Sequence, residues 1–321
     1  MENQSKRFTI AIIHRNGFER LKSVLDSILA DMTNNDEVII VDNNSTDNSI
    51  EMIEQCHLYK NILIIKNLCN TGYAYACNQA MRKGKGDYFL ICNNDIVFPK
   101  KGLDEFEKVF VNTPETGIVG GQLLDSNKNM VGSYSETPTF LSELDSIGRL
   151  RPSDRFKTIH EVGTLRGACL AVRRIAIESA GMMDEDFFFY FEETEWCMRI
   201  AKNGWKVLTA PHIKIMHVGG DSTKSVYHGS RIEFFRSRLL FWHKTLPANL
   251  VAILYIWNIP KLVIDGCFYL IITILTLGLN IRMRNKLVDR AIVLSWLLLG
   301  KPKKWGLPGK CQKLTGYSKS Y

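Results

Sequence analysis

The sequence predicts an α/β domain, a mostly parallel sheet with helices on both faces, followed by a helical C-terminal region that associates with a membrane. Three observations predict it. Short β-branched runs alternate with segments of helical period through the first two-thirds of the chain, three of those runs end in clusters of Asn, Asp and His, and near Lys224 the chain becomes basic and apolar together. Strands alternating with helices build parallel sheets covered on both sides.

The elements follow in order. Phe8 to Ile13 is a first strand, and Phe18 to Ala30 carries Leu21, Val24, Leu25, Ile28 and Leu29 at helical spacing. Glu37 to Val41 is a second strand ending in the polar loop Asp42-Asn43-Asn44-Ser45-Thr46-Asp47, where Thr46 or Asp47 is placed to cap the next helix. Ile62 to Lys66 is a third strand, Ala74 to Met81 a helix stopped by Gly84 to Gly86, and Tyr88 to Cys92 a fourth strand. A helix from Leu103 to Asn112 and a strand from Gly117 to Gly121 follow. Residues 125–160 are polar, show no strong period and read as loops and short pieces over the sheet face. Ala168 to Val172 is a strand, Arg174 to Ala180 and Glu192 to Asn203 are helices, and Ile213 to Met216 is an apolar strand ending at His217.

The 321 residues, 45% apolar, suffice for one large domain with a tail. From Gly229 onward 15 Lys/Arg stand against 3 Asp/Glu, while residues 1–228 hold 26 against 30. A basic tail on a mildly acidic body seeks a polyanionic surface. Nucleic acid is disfavoured as the partner, because the basic residues alternate with long apolar runs instead of forming a polar stripe. The eight cysteines fit no zinc spacing, and most lie in apolar runs as buried free thiols, which suits a reducing compartment. Met1 to Arg7 is polar and reads as carrying no signal peptide.

Ligands of open α/β sheets bind beyond the carboxyl ends of the strands. His14-Arg15-Asn16, Asp42-Asn43-Asn44 and Asn93-Asn94-Asp95 all sit at such ends. Taken alone, three solvated turns explain them as well as a site does. No G-x-G-x-x-G or Walker lysine motif is present, so a bound nucleotide is not held by a glycine-rich phosphate loop. A divalent metal would then neutralise its phosphates, with Asp95 as an oxygen ligand. A second constellation runs from Phe187 to Trp196, five aromatic residues leading into Glu192, Glu193 and Glu195. Desolvation beside aromatics raises a carboxyl pKa and favours a general base. Enrichment of acid at a helix N-terminus accounts for the carboxylates but not for the aromatic run. On a helix Glu192 and Glu195 share a face while Glu193 points elsewhere. His217, followed by Gly219-Gly220-Asp221, is either structural or a metal ligand.

Together the stretches TIAIIHRN, EVIIVDNNSTDNS, NLCNTGYAYACNQAM, GDYFLICNND, RGACLAVRR, GMMDEDFFFYFEETEWCMRIAKNGW and IKIMHVGGDST resemble glycosyltransferase family 2, with its GT-A fold, and most of all its rhamnosyltransferase-like branch of bacterial surface-polysaccharide synthesis. They span about residues 8–224, in family order. The resemblance implies an inverting transferase. Its nucleotide-sugar site would use His14, Arg15, Asn16, Asp42, Asn44, Asn70, Gly72, Asn78, Asn93 and Asn94. Magnesium or manganese would sit on Asp95, the last acid of a D-x-D that has lost its first, and on His217. Glu193 falls on the catalytic base, with Glu192 in reserve. His14 departs from a usual Thr, and Glu193 is one methylene longer than the usual Asp.

The expected organisation is a catalytic domain over 1–224, its nucleotide-sugar half at about 1–100 and its acceptor half at about 101–224, then a basic, apolar helical region over 225–321. Leu246 to Pro260 is apolar and uncharged, and Leu262 to Ile281 is a 20-residue apolar run interrupted by Asp265. The run is long enough for a single span, while its shorter, basic, amphipathic neighbours suit helices lying in the interface; a homodimerisation bundle is the remaining use. Membrane attachment beside a nucleotide donor places the chain at the cytoplasmic face of a bacterial inner membrane. It points to a polyprenyl-diphosphate-linked glycan acceptor and, on the branch resemblance, to deoxythymidine-diphosphate rhamnose as donor. A uridine-diphosphate hexose, a soluble glycan or protein acceptor, and a non-catalytic nucleotide-sugar binding module are the alternatives.

Overall fold

The computed structural model of the chain describes residues 6–145, 158–218 and 227–311. Alternation along the first strand, β1 (Lys6–His14), sets the architecture. Phe8, Ile10 and Ile12 point to one face of the sheet, Ala11 and Ile13 to the other, and both sets are buried. The first face is covered by α1 (Phe18–Leu29), through Leu21, Val24, Leu25 and Ile28, and by α2 (Ser49–Gln55). The strands β2 (Glu37–Asp42) and β3 (Leu63–Lys66) extend the sheet in parallel beside β1. The helix α3 (Tyr73–Lys83) covers the second face with Ala74, Ala76, Cys77 and Ala80. Its small side chains let the helix sit close to the strands. Asn48, not Thr46 or Asp47, holds the cap position of α2, although Asp47 Oδ1 still accepts from the Ser49 amide at 3.2 Å.

The strand β4 (Gly86–Asn93) pairs in parallel with β1 on its other side, and the short β5 (Ile96–Val97) follows. After α4 (Gly102–Asn112), which joins α1 on the first face, come β6 (Thr116–Leu124), β7 (Tyr134–Ser135), α5 (Phe140–Asp145), β8 (His160–Glu161), β9 (Thr164–Leu165) and β10 (Cys169–Arg173). α6 (Arg174–Ala180) and α7 (Glu192–Lys202) join α3 on the second face, and β11 (Lys206–His217) completes the sheet. The order is β3-β2-β1-β4-β10-β6-β11-β5. β10 runs antiparallel to both its neighbours; beyond it β6 and β11 pair in parallel, and β11 pairs antiparallel with the short β5 and β8. β11 is three times longer than the four residues the apolar run suggests. Its register shifts between Ala210 and Lys214, where Pro211 cannot donate to the ladder, and that bulge breaks the alternation a sequence pattern depends on.

Beyond the sheet, α8 (Tyr227–Thr245), α9 (Ala248–Leu275) and α10 (Ile281–Leu298) form a helical unit with its own core of Ile232, Phe241, Trp242, Val251, Leu254 and Trp296. The two apolar runs join differently from the bounds read in the sequence: α9 is one helix of 28 residues that passes through Pro260 and ends at Leu275, so a single span would not have the bounds 262–281. The boundary expected at 224/225, together with Gly219-Gly220-Asp221, lies outside the described residues. The ion pair Arg238–Glu143, 2.8 Å and buried, ties α8 to α5, and Trp242 donates to the same carboxylate. The last described residues, 305–311, return to the sheet domain.

Six of the eight cysteines are free, in keeping with the expectation that most are, but two are paired. Cys69 and Cys311 form a disulfide across 242 residues of sequence, a pairing no local spacing reveals. Cys77, Cys92, Cys169 and Cys197 are buried and free, and burial pushes their thiols up.

Candidate active site

Two cavities open at the carboxyl ends of β1 and β4, and they share a wall. The first, about 480 Å³, is lined by His14, Arg15, Asn16, Arg20, Asn43, Asn70, Gly72, Asn93, Asn94 and Asp95, with Leu307 and Pro308 from the C-terminal segment. The second, about 400 Å³, is lined by Thr164 to Ala168, Phe189 to Thr194, Glu143, Phe234 and His217. Tyr73, Asn93, Asp95 and Phe189 line both.

The polar groups of the first cavity are laced to one another. Asn94 Nδ2 donates to His14 Nδ1 at 2.8 Å, which leaves His14 Nε2 as the donor to Ser49 Oγ at 2.8 Å. Ser49 in turn donates to Asp47, whose other oxygen accepts from the Gly17 amide at 2.6 Å. Burial lowers the His14 pKa to about 4, so the ring is a neutral link between two strand-end loops. Asn43 plays the same part between β2 and α3. Its amide donates to Asn70 Oδ1 at 3.0 Å and the Gly72 carbonyl at 3.1 Å, and its oxygen accepts from the amide and hydroxyl of Thr71, both at 2.8 Å. Gly72 has φ +87 and lies under Phe188, whose carbonyl a Cβ would meet at 2.6 Å. Only glycine allows that approach, and through it Tyr73 N reaches the Phe188 carbonyl at 2.8 Å.

Not every predicted residue reaches the cavity. Asn78 is buried elsewhere, with its amide on the Met183 backbone and Glu185, and holds the loop before the aromatic run. Asp42 is occupied by the Ser45 amide and hydroxyl, and neither it nor Asn44, at φ 63, lines the cavity. Asn43, absent from the predicted set, sits at its centre. In a run of three polar residues, only the turn after β2 decides which side chain points inward. Arg15 is half-buried with Nε unpartnered, and burial lowers its pKa.

The shared wall and the second cavity are different in kind. Asp95 Oδ1 is buried without a hydrogen-bond partner, and His217 Nε2 stands 3.3 Å from it. No cluster of three or more His, Cys, Asp or Glu suited to a metal occurs among the described residues. The pair fits a hard divalent cation as two of its ligands, an anionic oxygen and an imidazole, with the remaining positions left to phosphate oxygens and water. Across the second cavity, Glu192 and Glu193 open α7. Tyr190 and Phe191 precede them at φ 73 and 68, left-handed conformations that cost on the order of 1–3 kcal/mol each in non-glycine residues. Packing holds them there. Tyr190 and Phe191 lie 5.5 and 5.4 Å from Phe234, and Phe191 lies 5.2 Å from Phe241, both on α8. This accounts for the aromatic run: it anchors the sharp turn that aims the first turn of α7 into the cavity.

Glu192 and Glu193 both line that cavity, and each has an Oε2 that is buried and unpartnered. Glu195 is instead held by Arg199 in two bonds of 2.8 Å. Burial raises both cavity carboxyls, Glu192 well above its ordinary range with the neighbouring Glu193 charge adding to it. The Gly167 amide, 3.4 Å from Glu193 Oε1, and the Arg166 charge oppose the rise at Glu193. Of the two, Glu193 is the more readily ionised.

The family model described as glycosyl transferase family 2 matches residues 9–179. Among curated proteins, the chain is 25% identical over 240 residues to the N-acetylglucosaminyl-diphospho-decaprenol L-rhamnosyltransferase of Mycobacterium tuberculosis, covering 64% of this chain and 76% of that protein. It is 22% identical over 196 residues to the poly-beta-1,6-N-acetyl-D-glucosamine synthase of Staphylococcus aureus, covering 61% of this chain and 46% of that one. Among solved structures, it shares a fold with the mannosyltransferase PcManGT from Pyrobaculum calidifontis, in complex with GDP-Man and Mn2+, at TM-score 0.56 and 16% identity over 92% of this chain and 87% of that one. GalNAc-T7 with UDP, GalNAc and Mn2+ follows at TM-score 0.54 and 14% identity, covering 68% of this chain and 44% of that one.

Proposed function

Because the chain belongs to glycosyl transferase family 2 and is a glycosyltransferase, we propose that the first cavity binds a nucleotide diphosphate sugar and the second its acceptor, with inversion at the anomeric carbon where the two meet. The carrying observation is the shared wall at Asp95, which faces a cavity laced with amide and imidazole groups on one side and, on the other, a pair of carboxyls each with one buried oxygen lacking a hydrogen bond. Asn43, Asn70, Asn94 and Arg15 position the nucleotide. Glu193 takes the proton of the acceptor hydroxyl as its oxygen attacks from the side opposite the diphosphate. Glu192 stays protonated beside it and keeps a second negative charge away from the base. A divalent ion bound at Asp95 and His217 would supply charge stabilisation for the departing diphosphate.

The acceptor is a polyprenyl-diphosphate-linked glycan. Two observations support this: the named relative acts on a decaprenol-linked substrate, and α9 is long and apolar enough to cross a membrane, with Ile256, Ile264, Ile271, Ile274 and Leu275 exposed. Its 28 residues extend roughly 42 Å at 1.5 Å each. Arg282 and Arg284 follow at its end, exposed and suited to anionic headgroups. The chain then works at the cytoplasmic face of a bacterial inner membrane, and its donor is deoxythymidine-diphosphate rhamnose.

Purified full-length chain, assayed with magnesium or manganese against N-acetylglucosaminyl-diphospho-polyprenol and a panel of nucleotide sugars, tests each part. Rhamnosyl transfer that stops on chelation is the expected result. Transfer only from uridine-diphosphate hexoses sinks the donor assignment. Equal transfer to a soluble glycan sinks the acceptor, and activity indifferent to EDTA sinks the metal.

A further inference from the structure

The C-terminal segment that returns to the sheet domain does more than pack. Leu307 and Pro308 line the first cavity beside Arg15 and Asn70, and neither lines the second. The cavities join at Tyr73, Asn93, Asp95 and Phe189, and Leu307 and Pro308 are not among these shared residues. The segment is held there from three directions. Its backbone forms a parallel bridge with the loop after β3, Asn70 N donating to the Gly309 carbonyl at 2.9 Å and Cys311 N to the Asn70 carbonyl at 3.1 Å. From α8, Arg236 donates to the Trp305 carbonyl at 2.5 Å, and Lys310 pairs with the fully buried Glu233 while its ammonium lies 4.5 Å over the Phe188 ring. The disulfide Cys69–Cys311 closes the third side, one residue from Asn70.

These placements match a job. Arg15 approaches the Pro308 carbonyl at 3.5 Å and lines the cavity with Leu307 and Pro308, so its guanidinium is the donor group beside them. An apolar ceiling over a hydrogen-bond donor suits a flat heterocycle with carbonyl edges. We propose that residues 305–311 form the wall of the donor cavity that closes over the nucleoside end of a nucleoside diphosphate, and that the Cys69–Cys311 bond is a reducible latch on that wall. The proposal rests on the nucleotide-sugar reading. Opening the latch takes two electrons and two protons from a dithiol, which becomes a disulfide as Cys69 and Cys311 become thiols. The opened segment keeps its α8 contacts and its backbone bonds to Asn70 but loses its covalent tether to that loop. That lowers the local concentration of the wall at the cavity without removing it.

The test uses full-length chain in detergent, with uridine and thymidine diphosphates and inorganic pyrophosphate as probes and magnesium present. Leu307→Ala trims the ceiling and should weaken the better nucleoside diphosphate about fivefold or more. Dithiothreitol and Cys311→Ser should each weaken it by roughly three- to tenfold, without adding to one another. Pyrophosphate, which has no nucleoside, should bind all forms alike, and an unchanged pyrophosphate affinity also shows that each variant is folded. Unchanged nucleoside diphosphate affinity in Leu307→Ala overturns the wall. A loss in Leu307→Ala with none on reduction or in Cys311→Ser overturns the latch. If the wild-type chain binds pyrophosphate but neither nucleoside diphosphate, the nucleotide-sugar reading itself fails, and the wall falls with it.

Discussion

The two cavities meet at one strand end yet use polar groups in opposite ways. Around the first, His14, Asn43, Asn70 and Asn94 satisfy one another, and the result is a rigid cradle. Around the second, Glu192 and Glu193 each bury one oxygen without a hydrogen bond, and Asp95 on the shared wall has only the His217 ring 3.3 Å from its Oδ1. A satisfied buried polar network specifies geometry, whereas an unsatisfied buried carboxyl costs stability and persists where chemistry uses it. The contrast separates residues that hold the site from residues proposed to act in it.

The largest expected effect tests the acting side. Glu193→Gln should lower turnover by about 10²–10⁴-fold while nucleotide affinity stays as it is. In the wild type, kcat/KM should rise with pH through a midpoint above the ordinary glutamate value, since burial raises the Glu193 carboxyl. Near-normal turnover in the variant transfers the role of base to Glu192. The next effect tests the cradle. The folded pKa of His14 is lowered from 6.5 to about 4, so the stability it contributes is complete above 6.5 and lost as pH falls toward 4. The expected loss is on the order of 3 kcal/mol. Denaturant titrations at pH 7.5 and pH 4.5 should show it in the wild type, and the same slope in His14→Gln would show that the ring is not the group responsible. The smallest effect runs the other way. Glu192 has a raised pKa, so its favourable term is present below the unfolded value and disappears as pH rises through the folded one. Glu192→Gln should therefore leave the melting temperature unchanged at pH below the ordinary glutamate value and raise it at alkaline pH. A drop at alkaline pH would mean that the folded state holds Glu192 ionised.

Much of this was legible in the sequence. The order of the longer strands and helices through α7 follows from apolar period, while the short β5, β7, α5, β8 and β9 do not, and the strand-end clusters around His14 and Asp95 follow from the rule that ligands bind at carboxyl ends. The acids of α7 stood out because five aromatics precede them. The rest depended on geometry that no period encodes. Asp42, Asn43 and Asn44 are indistinguishable as a string, and only the turn after β2 makes Asn43 the buried link. Asn78 has a motif-like context but a purely structural set of partners. The bulge at Pro211 hid most of β11.

What the sequence by itself determined is the local chemistry: which segments are strands, which helices are apolar enough to leave the sheet domain, and which acids lie next to aromatics. Period and composition act over a few residues, and such features can be read at that range. Only the tertiary structure decided that Asp95 and His217 meet, that Glu192 and Glu193 face one cavity while Glu195 does not, and that Leu307 and Pro308 roof a cavity begun by His14 and Arg15. Those are contacts between residues far apart in the chain. They are set by how β4, β11 and α8 pack, and the Cys69–Cys311 bond, closing 242 residues, is the covalent case.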